Sequence, residues 1–455
     1  MSILQGETVT TWNMSQVWRS VAGVLDDRIV IEQGDEKLTW SEFDSSSVAL
    51  ASWMRQNGVG TGAKVAQYLY NCPEYMVTFA AALHNSCVPV NTNYRYGSDE
   101  LVYLFDNADA EVLFFHGTFA SRVDEIRGLL PKLRHLVFID DTSGPCPKWA
   151  VNYAEIVTTL PIALPEPSPD DLIFLYTGGT TGMPKGVMWR QDDLFSLLNA
   201  GSFRRFDESA TASEMAAIIA KDGPGASVLP ACPLMHGTGL FTAINALNGG
   251  GRIVLLENRH FDAVEFARTL NDYEVNVAVI VGDPFARPLL RALEADPGQF
   301  AMDALFAMVS SGAMWSEEIK KGLLAHKPNL ILVDAFSSSE ALGMGSSVSS
   351  GQTAEQTARF TLGQHVRVAN DLGEDIEPGS EEVGKLMLGG RLPLGYYKDE
   401  SKTESTFLTF NNVRYSVPGD MAKVNADGSI HLLGRDLNAL TPRVKRCTPK
   451  KSKKR

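Results

Sequence analysis

The chain has 455 residues, of which 44% are hydrophobic and 21% are charged, and its formal net charge at pH 7 is −13. Such a length and composition are typical of a soluble globular enzyme of two or three domains, and the acidic balance argues against a nucleic-acid partner. No apolar run reaches the length of a membrane span, residues 1–16 lack the core of a signal peptide, and the five scattered cysteines show no metal spacing and no paired framework, which together predict a cytoplasmic protein without stable membrane insertion.

The N-terminal part, residues 1–165, alternates between helix and strand patterns. Ser41 can cap a helix that ends at Asn57, and Ser98, followed by two acidic residues, starts another helix. Buried strands are predicted at 65–70, 112–115 and 136–139. A proline-rich connector over 161–171 then predicts a subdomain boundary.

The most informative segment is Tyr-Thr-Gly-Gly-Thr-Thr-Gly-Met-Pro-Lys-Gly at 176–186, which follows an apolar run at 172–175. Its four glycines let backbone N–H groups approach an anion closely. Its three threonines add hydroxyl donors, and Lys185 adds a positive charge. Pro184 stands where a Walker loop requires glycine, so this is a phosphate cradle of another kind. The alternative is a Gly/Thr-rich turn without a ligand, and the complete string favours phosphate binding.

Residues 166–360 continue the alternation and predict a second α/β subdomain. Apolar runs of strand length lie at 253–256, 277–280 and 330–333, with a helix at 263–270 among them. Alternation of this kind favours parallel sheets covered by helices. The alanine-rich segment 209–220 fits either a helix or a mobile insert.

The pattern changes near residue 360 and predicts a small β subdomain over 361–435. Short strands are predicted at 383–388, 421–424 and 429–433. Asp427 and Gly428 supply a hairpin turn between the last two strands.

Short motifs that follow predicted strands hold further candidate site residues. They lie at 233–239, 309–313, 334–340, 415–420 and 433–435. In these motifs His236 lies among glycines, while Glu340 and Asp420 are carboxylates at motif ends. Read alone, they fit a packed histidine, plain turns and a solvated helix-start carboxylate better than they fit a functional site.

Taken in order with the loop at 176–186, these motifs resemble those of the adenylate-forming enzymes, in the acyl-CoA synthetase branch. The Val-Met-Trp continuation of the loop is similar to the fatty-acyl and steroid-side-chain CoA ligases of actinobacteria. The resemblance covers residues 20–435. It implies an α/β fold: the large N-terminal domain of that superfamily, with two helix-covered, mainly parallel sheets and a small β-barrel-like subdomain, and with the C-terminal α+β domain absent.

The resemblance also implies a role for each motif. Catalytic positions are Thr177, Thr180, Thr181, Lys185, His236 and Glu340, with Glu340 and Thr180 as Mg²⁺ ligands. Nucleotide-binding positions are Gly178, Gly179, Gly182, Gly312, Ala313, Asp334, Phe336, Ser339, Asp420 and Arg435. Among them Phe336 is expected to stack on adenine and Asp420 to accept hydrogen bonds from ribose hydroxyls. His236 borders the carboxylate end of the acyl pocket and is not assigned as a base, because a carboxylic acid is already ionised at neutral pH.

Residues 436–455 depart from the family pattern. Residues 443–455 contain eight lysines and arginines, where the family continues into a small domain that carries a catalytic lysine. Back-translation of 439–455, regrouped from the third codon position, permits Ile-Asn-Thr-x-Gly-Glu-Lys-Val-Tyr-Pro-Glu-Glu-Val-Glu-Glu-Ala, which the family would show there. The hypothesis is a frameshift near residue 436, and the alternatives are a nucleic-acid patch, a membrane-surface patch or a solvated end.

The resemblance implies ATP-dependent activation of a fatty or steroid-side-chain acid to an acyl-adenylate and then to an acyl-CoA. ATP, CoA and the carboxylic acid are the expected small-molecule partners, and Mg²⁺ is the expected cofactor. Without the small domain, the polypeptide is expected to be impaired in forming the thioester. The alternative is a catalytically dead remnant that binds nucleotide or acyl groups.

Overall fold

The computed structural model of this chain describes residues 11–178, 182–351 and 353–435. The helices in this part of the chain are α1 (Met14–Leu25), α2 (Trp40–Gln56), α3 (Pro73–His84), α4 (Ser98–Ala108), α5 (Ala120–Arg127), α6 (Tyr153–Ile156), α7 (Gln191–Ala200), α8 (Ala212–Asp222), α9 (Gly237–Asn248), α10 (Ala263–Asp272), α11 (Asp283–Ala295), α12 (Glu317–His326) and α13 (Glu400–Thr406), with a 3₁₀ turn at Gly117–Phe119. None of them combines the length and the apolar character that are needed to cross a membrane.

The strands in the same ranges are β1 (Ile29–Gln33), β2 (Glu36–Thr39), β3 (Lys64–Tyr68), β4 (Val88–Asn91), β5 (Ala110–His116), β6 (His135–Ile139), β7 (Val151–Asn152), β8 (Leu172–Thr177), β9 (Lys185–Arg190), β10 (Ser227–Pro230), β11 (Arg252–Leu255), β12 (Val277–Ile280), β13 (Ala307–Ser311), β14 (Ile331–Ser338), β15 (Ala341–Ser350), β16 (Arg359–Leu362), β17 (Val366–Ala369), β18 (Gly384–Leu388), β19 (Gly395–Tyr396), β20 (Phe407–Phe410), β21 (Val413–Ser416), β22 (Asp420–Val424) and β23 (Ile430–Arg435).

Two sheets organise these strands. The first runs in the order β2-β1-β11-β10-β12-β13-β14-β15-β16-β23-β22-β18-β21-β20, with β17 paired to β18. Its pairs from β1 to β14 are parallel, and its pairs from β14 onward are antiparallel. The second sheet runs β19-β9-β8-β4-β3-β5-β6-β7 and is parallel from β8 through β4, β3 and β5 to β7.

Helix packing explains why the central strand β12 is apolar throughout. All four residues of β12 are buried, since β12 lies between β10 and β13 and helices cover the sheet. The apolar residues form three large buried clusters, one of which joins α1, α2 and α3 to both sheets. The fully buried tryptophans are Trp18, Trp40, Trp189 and Trp315.

The predicted fold class is confirmed, as are most of the predicted elements. The strand predicted at 277–280 has those bounds, and the hairpin at Asp427 and Gly428 joins β22 to β23. The alanine-rich segment forms α8, whose N-cap Thr211 makes a capping box with Glu214. Residues 361–435 are mostly β structure, and β16 links them to the first sheet.

Two local predictions were wrong. The helix predicted to be capped at Ser41 begins at Trp40, because Thr39 is its N-cap and forms a capping box with Glu42. The strand predicted to end at residue 333 continues through Ser338, because β15 pairs with it along its length.

The predicted domain limits at 165, 360 and 435 stay predictions. Both hydrogen-bonded sheets run across the limit at 165. The strands β1 and β2 lie before it and belong to the first sheet, whose other strands follow it, while β8 and β9 lie after it and belong to the second sheet together with β3 to β7. The predicted aberrant segment 436–455 lies outside the described residues.

Candidate active site

The two strands around the phosphate loop form an antiparallel pair. Thr177 at the end of β8 faces Lys185 at the start of β9, so the loop is closed at its base by backbone pairing. A Cβ atom on Gly186 would lie 2.6 Å from the ring of Tyr176, so only glycine fits there. Gly178 and Gly182 are exposed, whereas Gly179, Thr180 and Thr181 lie outside the described residues.

Buried Asn91, at the end of β4, ties the phosphate loop to the histidine motif. Its Oδ1 accepts a hydrogen bond from the backbone N–H of Tyr176 at 2.6 Å. Its Nδ2 donates to the carbonyl of Tyr176 at 2.9 Å and to that of Met235 at 2.6 Å. The entrance of the phosphate loop and the residue before His236 are therefore fixed relative to each other by one side chain.

His236 is the N-cap residue of α9 and is exposed. Surrounding protein and the positive charge of Arg95 lower the pKa of its imidazole, which favours the neutral ring at pH 7. A Cβ on Gly239 would meet the carbonyl oxygen of Pro233 at 2.5 Å, so the motif needs glycine one turn into the helix. Asn71 holds the preceding loop through hydrogen bonds to the backbone of Cys232 and Leu234.

The small-residue motif at 309–313 ends β13 and continues into a loop that Asp283 holds in place. Gly312 has a φ of +91°, a conformation that favours glycine. A Cβ there would lie 3.8 Å from Oγ1 of Thr238, so Gly312 and Ala313 adjoin the start of α9. Asp283 accepts hydrogen bonds from the backbone N–H and the hydroxyl of Ser316 at 2.9 and 2.8 Å.

Asp334 lies within β14 and is buried. Burial raises the pKa of its carboxyl to about 6, although Lys320 Nζ lies 3.6 Å away and acts in the opposite direction. Lys320 is itself buried, on α12. The charge of this carboxyl therefore changes near pH 6.

The segment after Asp334 is held by contacts from neighbouring elements. The half-buried ring of Phe336 lies 5.6 Å from that of Phe360, centroid to centroid. Ser337, which stands where the family has glycine, accepts a hydrogen bond from the N–H of Gly343 at 3.0 Å. The carbonyl of Ser339 accepts one from Trp189 Nε1 at 3.0 Å, so β9 is connected to this turn.

Glu340 is buried, and its Oε1 accepts a hydrogen bond from the Tyr396 hydroxyl at 2.7 Å. Mg²⁺ at phosphate sites is commonly held by one or two carboxylates together with phosphate oxygens and water. Within residues 11–178, 182–351 and 353–435 no three His, Cys, Asp or Glu side chains cluster as a metal site. Glu340 is therefore a candidate ligand for a magnesium ion shared with a nucleotide, rather than part of an all-protein metal cage.

Asp420 begins β22 opposite Arg435 of β23. Arg435 Nε lies 3.2 and 3.3 Å from the two carboxylate oxygens of buried Asp420. Burial raises the pKa of Asp420, Arg435 counteracts this shift, and the charge of Glu340 adds to it.

Lys185 forms an ion pair with Asp399, and its Nζ lies 6.0 Å from the centre of the Tyr396 ring. Since Tyr396 bonds to Glu340, contacts connect Lys185 to Tyr396 and Tyr396 to Glu340, while Asp420 and Arg435 form a separate pair. His236, Gly312 and Ala313 form a second group, which Asn91 connects to the loop.

Sequence reasoning missed Asn91, Asn71 and Asp399. Of these, only Asp399 carries a sequence signal, as a helix N-cap residue.

Comparison with known proteins shows which family the chain resembles. The family model described as "AMP-binding enzyme" matches residues 17–397. The medium-chain acyl-CoA ligase Mig of Mycobacterium avium is 36% identical over 449 residues, which cover 94% of this chain and 81% of that protein. The 3-oxocholest-4-en-26-oate–CoA ligase of Rhodococcus rhodochrous is 33% identical and covers 93% of this chain and 78% of that protein.

Solved structures share the fold. The anthranilate CoA ligase AuaEII, crystallised with anthranoyl-AMP, superposes with a TM-score of 0.78 at 18% identity. The match covers 93% of this chain and 78% of that one.

Proposed function

The chain belongs to the AMP-binding enzyme family, in its acyl-CoA synthetase branch, and we propose that it activates a fatty or steroid-side-chain acid with ATP and transfers the acyl group to CoA. A carboxylate oxygen attacks the α-phosphorus of ATP, and the bond to pyrophosphate breaks. The CoA sulfur then attacks the acyl carbon of the acyl-AMP, AMP leaves, and the thiol proton is released. The observation that carries the proposal is the chain of contacts from Lys185 through Tyr396 to Glu340.

The phosphate end of the proposed site is the loop at 176–186. Lys185 and the backbone N–H groups of Gly178, Gly179 and Gly182 neutralise and orient the phosphates. The hydroxyls of Thr177, Thr180 and Thr181 add donors to the oxygens on which charge develops. These groups act by position and charge, which is what phosphoryl chemistry mainly requires of a protein.

Glu340, with Thr180, is the proposed holder of Mg²⁺, a hard cation that neutralises phosphate charge when it is bound. Glu340 presents one oxygen to Tyr396 at 2.7 Å, which fixes the carboxylate plane. The second oxygen then has a defined direction for a ligand.

The nucleoside end is proposed to lie between the 309–313 loop and β14. Gly312 and Ala313 give a purine close access to the backbone, with Phe336 against its face and Asp334 and Ser339 at its edge. Asp420 accepts hydrogen bonds from the ribose hydroxyls, with Arg435 keeping its carboxylate charged and oriented.

His236 is proposed to line the carboxylate end of the acyl pocket as a neutral ring. The lowered pKa of its imidazole suits a donor or acceptor of hydrogen bonds better than a cation. No base is required, because the substrate is ionised before it binds.

The acyl group is proposed to be a medium or long aliphatic chain or a steroid side chain. The support is that a medium-chain acyl-CoA ligase and a 3-oxocholest-4-en-26-oate–CoA ligase are 36% and 33% identical to this chain. The weak thioester step and the cytoplasmic setting expected from the sequence belong to the proposal.

The test is to measure acyl-AMP and acyl-CoA by mass spectrometry with the full chain, Mg-ATP, CoA and a panel of aliphatic and steroid-side-chain acids. Adenylate that accumulates ahead of thioester supports the whole proposal. Equally fast formation of both products contradicts the weak second step. A folded sample that forms neither product contradicts the proposed activity and favours a remnant that only binds its ligands. The variant Glu340→Gln serves as the inactive control.

A further inference from the structure

A short segment that we term the strap, residues 394–399, lies alongside the strand that leaves the phosphate loop. Its strand β19 pairs antiparallel with β9. Leu394 N–H donates to the carbonyl of Met188, and Tyr397 N–H donates to that of Gly186, each at 2.8 Å. Because β9 begins at Lys185, the strap is fixed by backbone pairing directly beside the end of the loop.

The strap contacts two of the proposed reaction residues. The Tyr396 hydroxyl bonds to Glu340, and Oδ2 of Asp399 pairs with Nζ of Lys185. The Lys185 and Asp399 side chains are each about one-third exposed, at 33% and 31%, so another anion can reach this pair from solvent.

Asp399 is held in place independently of Lys185. Its Oδ1 accepts a hydrogen bond from Lys402 N–H at 2.9 Å, which makes Asp399 the N-cap of α13. On its other side the strap is anchored by Tyr397 and Lys398, which both donate to Asp109 at 2.7 Å. The carboxylate of Asp399 therefore keeps its position when Lys185 changes partner.

We infer that Asp399 is a positioning residue that holds Lys185 in the place of a nucleotide phosphate, so that ATP binding exchanges one anionic partner of this lysine for another. The inference rests on the proposed function, because the incoming anion is the triphosphate of ATP. In the absence of nucleotide, Asp399 keeps the ammonium group aimed at the loop. The triphosphate then displaces Asp399, which keeps its helix-cap bond.

The helix-cap role alone does not account for both contacts of Asp399. A cap needs one side-chain oxygen, which Oδ1 supplies, while Oδ2 faces Lys185. Asn caps a helix about as well as Asp but carries no charge. Asp399→Asn therefore removes the competing charge and leaves the cap, and Asp399→Ser gives a second neutral variant that can cap.

The experiment measures Kd for Mg-ATP and for adenosine, without acid substrate, on the full chain, Asp399→Asn, Lys185→Ala and the double variant. An exposed ion pair contributes little, so we expect Asp399→Asn to bind ATP about threefold to fivefold more tightly. Adenosine has no phosphate, so its Kd is expected to stay the same. In the Lys185→Ala background, Asp399→Asn is expected to have no further effect on ATP.

Two results overturn the inference. One is unchanged or weaker ATP binding by both Asp399→Asn and Asp399→Ser when circular dichroism shows that they are folded. The other is the same gain in the Lys185→Ala background, which would assign it to general charge. Because no acid is present, these outcomes are independent of acyl-AMP formation, and a chain that exchanges partners but forms no adenylate contradicts only the proposed function.

A second readout does not use nucleotide affinity. Acylation of Lys185 by an amine-reactive reagent, followed by peptide mass spectrometry, is expected to be faster in Asp399→Asn, because the amine is no longer held by a carboxylate. ATP is expected to protect Lys185 in both proteins. An equal rate in the two proteins without ATP shows that the pair does not form and overturns the inference.

Discussion

Replacing Asn91 by alanine tests whether one buried amide aligns the two halves of the site. Asn91 is 5% exposed and makes three hydrogen bonds, two with the backbone of Tyr176 and one with the carbonyl of Met235. Tyr176 leads into the phosphate loop, and Met235 precedes His236. Loss of the amide therefore releases both segments at once.

The expected cost follows from these bonds. Each net hydrogen bond contributes about 1 kcal/mol, and a buried partner left unsatisfied costs about 1–3 kcal/mol. Three lost bonds therefore lower the free energy of unfolding by about 3–5 kcal/mol. Because a displacement of about 1 Å at a reacting group can reduce a rate by about 100-fold, we expect a comparable loss in acyl-AMP formation by the protein that remains folded.

The measurements are the denaturant midpoint and the rate of acyl-AMP formation. The matched control is Asn57→Ala, since Asn57 is exposed and its side chain donates one bond, to the carbonyl of Trp53. We expect the control to lose no more than about 1 kcal/mol and to keep its rate. Equal midpoints and equal rates for the two variants would refute the role given to Asn91.

Three further outcomes are expected. Glu340→Gln should lower the rate of acyl-AMP formation by about 100-fold. The control Glu381→Gln, which changes an exposed carboxylate, should keep the normal rate. A normal rate for Glu340→Gln would contradict the role of Glu340 as a metal ligand. Asp420→Asn should raise KM for ATP about tenfold and reduce the preference for ATP over 2′-deoxy-ATP, and an unchanged preference excludes a ribose contact. Burial raises the pKa of Asp334 to about 6, so the affinity for adenosine should fall as the pH drops through 6 and the carboxylate is neutralised. This pH dependence should be absent from Asp334→Asn. Adenosine is the ligand because the phosphates of ATP titrate in the same range.

The elements of the fold were predictable where burial dictates the residue types. The strand β12 follows the polar Asn276 and is buried along its length, so the beginning of its apolar run marked the beginning of the strand. The strand β14 was predicted too short because Asp334 interrupts its apolar run. Lys320 of α12 forms an ion pair with that aspartate, which helps to stabilise a carboxylate inside a strand. The two residues are 14 positions apart, so their pairing leaves no local pattern in the sequence.

The motif residues were predictable because each combines a turn with a charged or hydroxyl group. Their partners were not, since the contacts are made by common residues far away in the sequence. Asn91 is 85 positions from Tyr176, and Glu340 is 56 positions from Tyr396. The residue type of Asn91 or of Tyr396 does not predict its contact, because asparagine and tyrosine are common residues in sheets of any kind.

The site depends on how the two sheets are held together, since each supplies only part of it. The phosphate loop and Lys185 belong to the second sheet, while Glu340 and Asp420 belong to the first.

The bonds that cross between the sheets next to the site include Asn91 to Met235, Trp189 to Ser339 and Tyr396 to Glu340. Each lies within two residues of a proposed reaction group or includes one. A shift between the sheets would therefore disturb these bonds. Since in-line attack on the α-phosphorus needs the phosphates and the metal ligand in one fixed geometry, these bonds are where the fold limits the reaction.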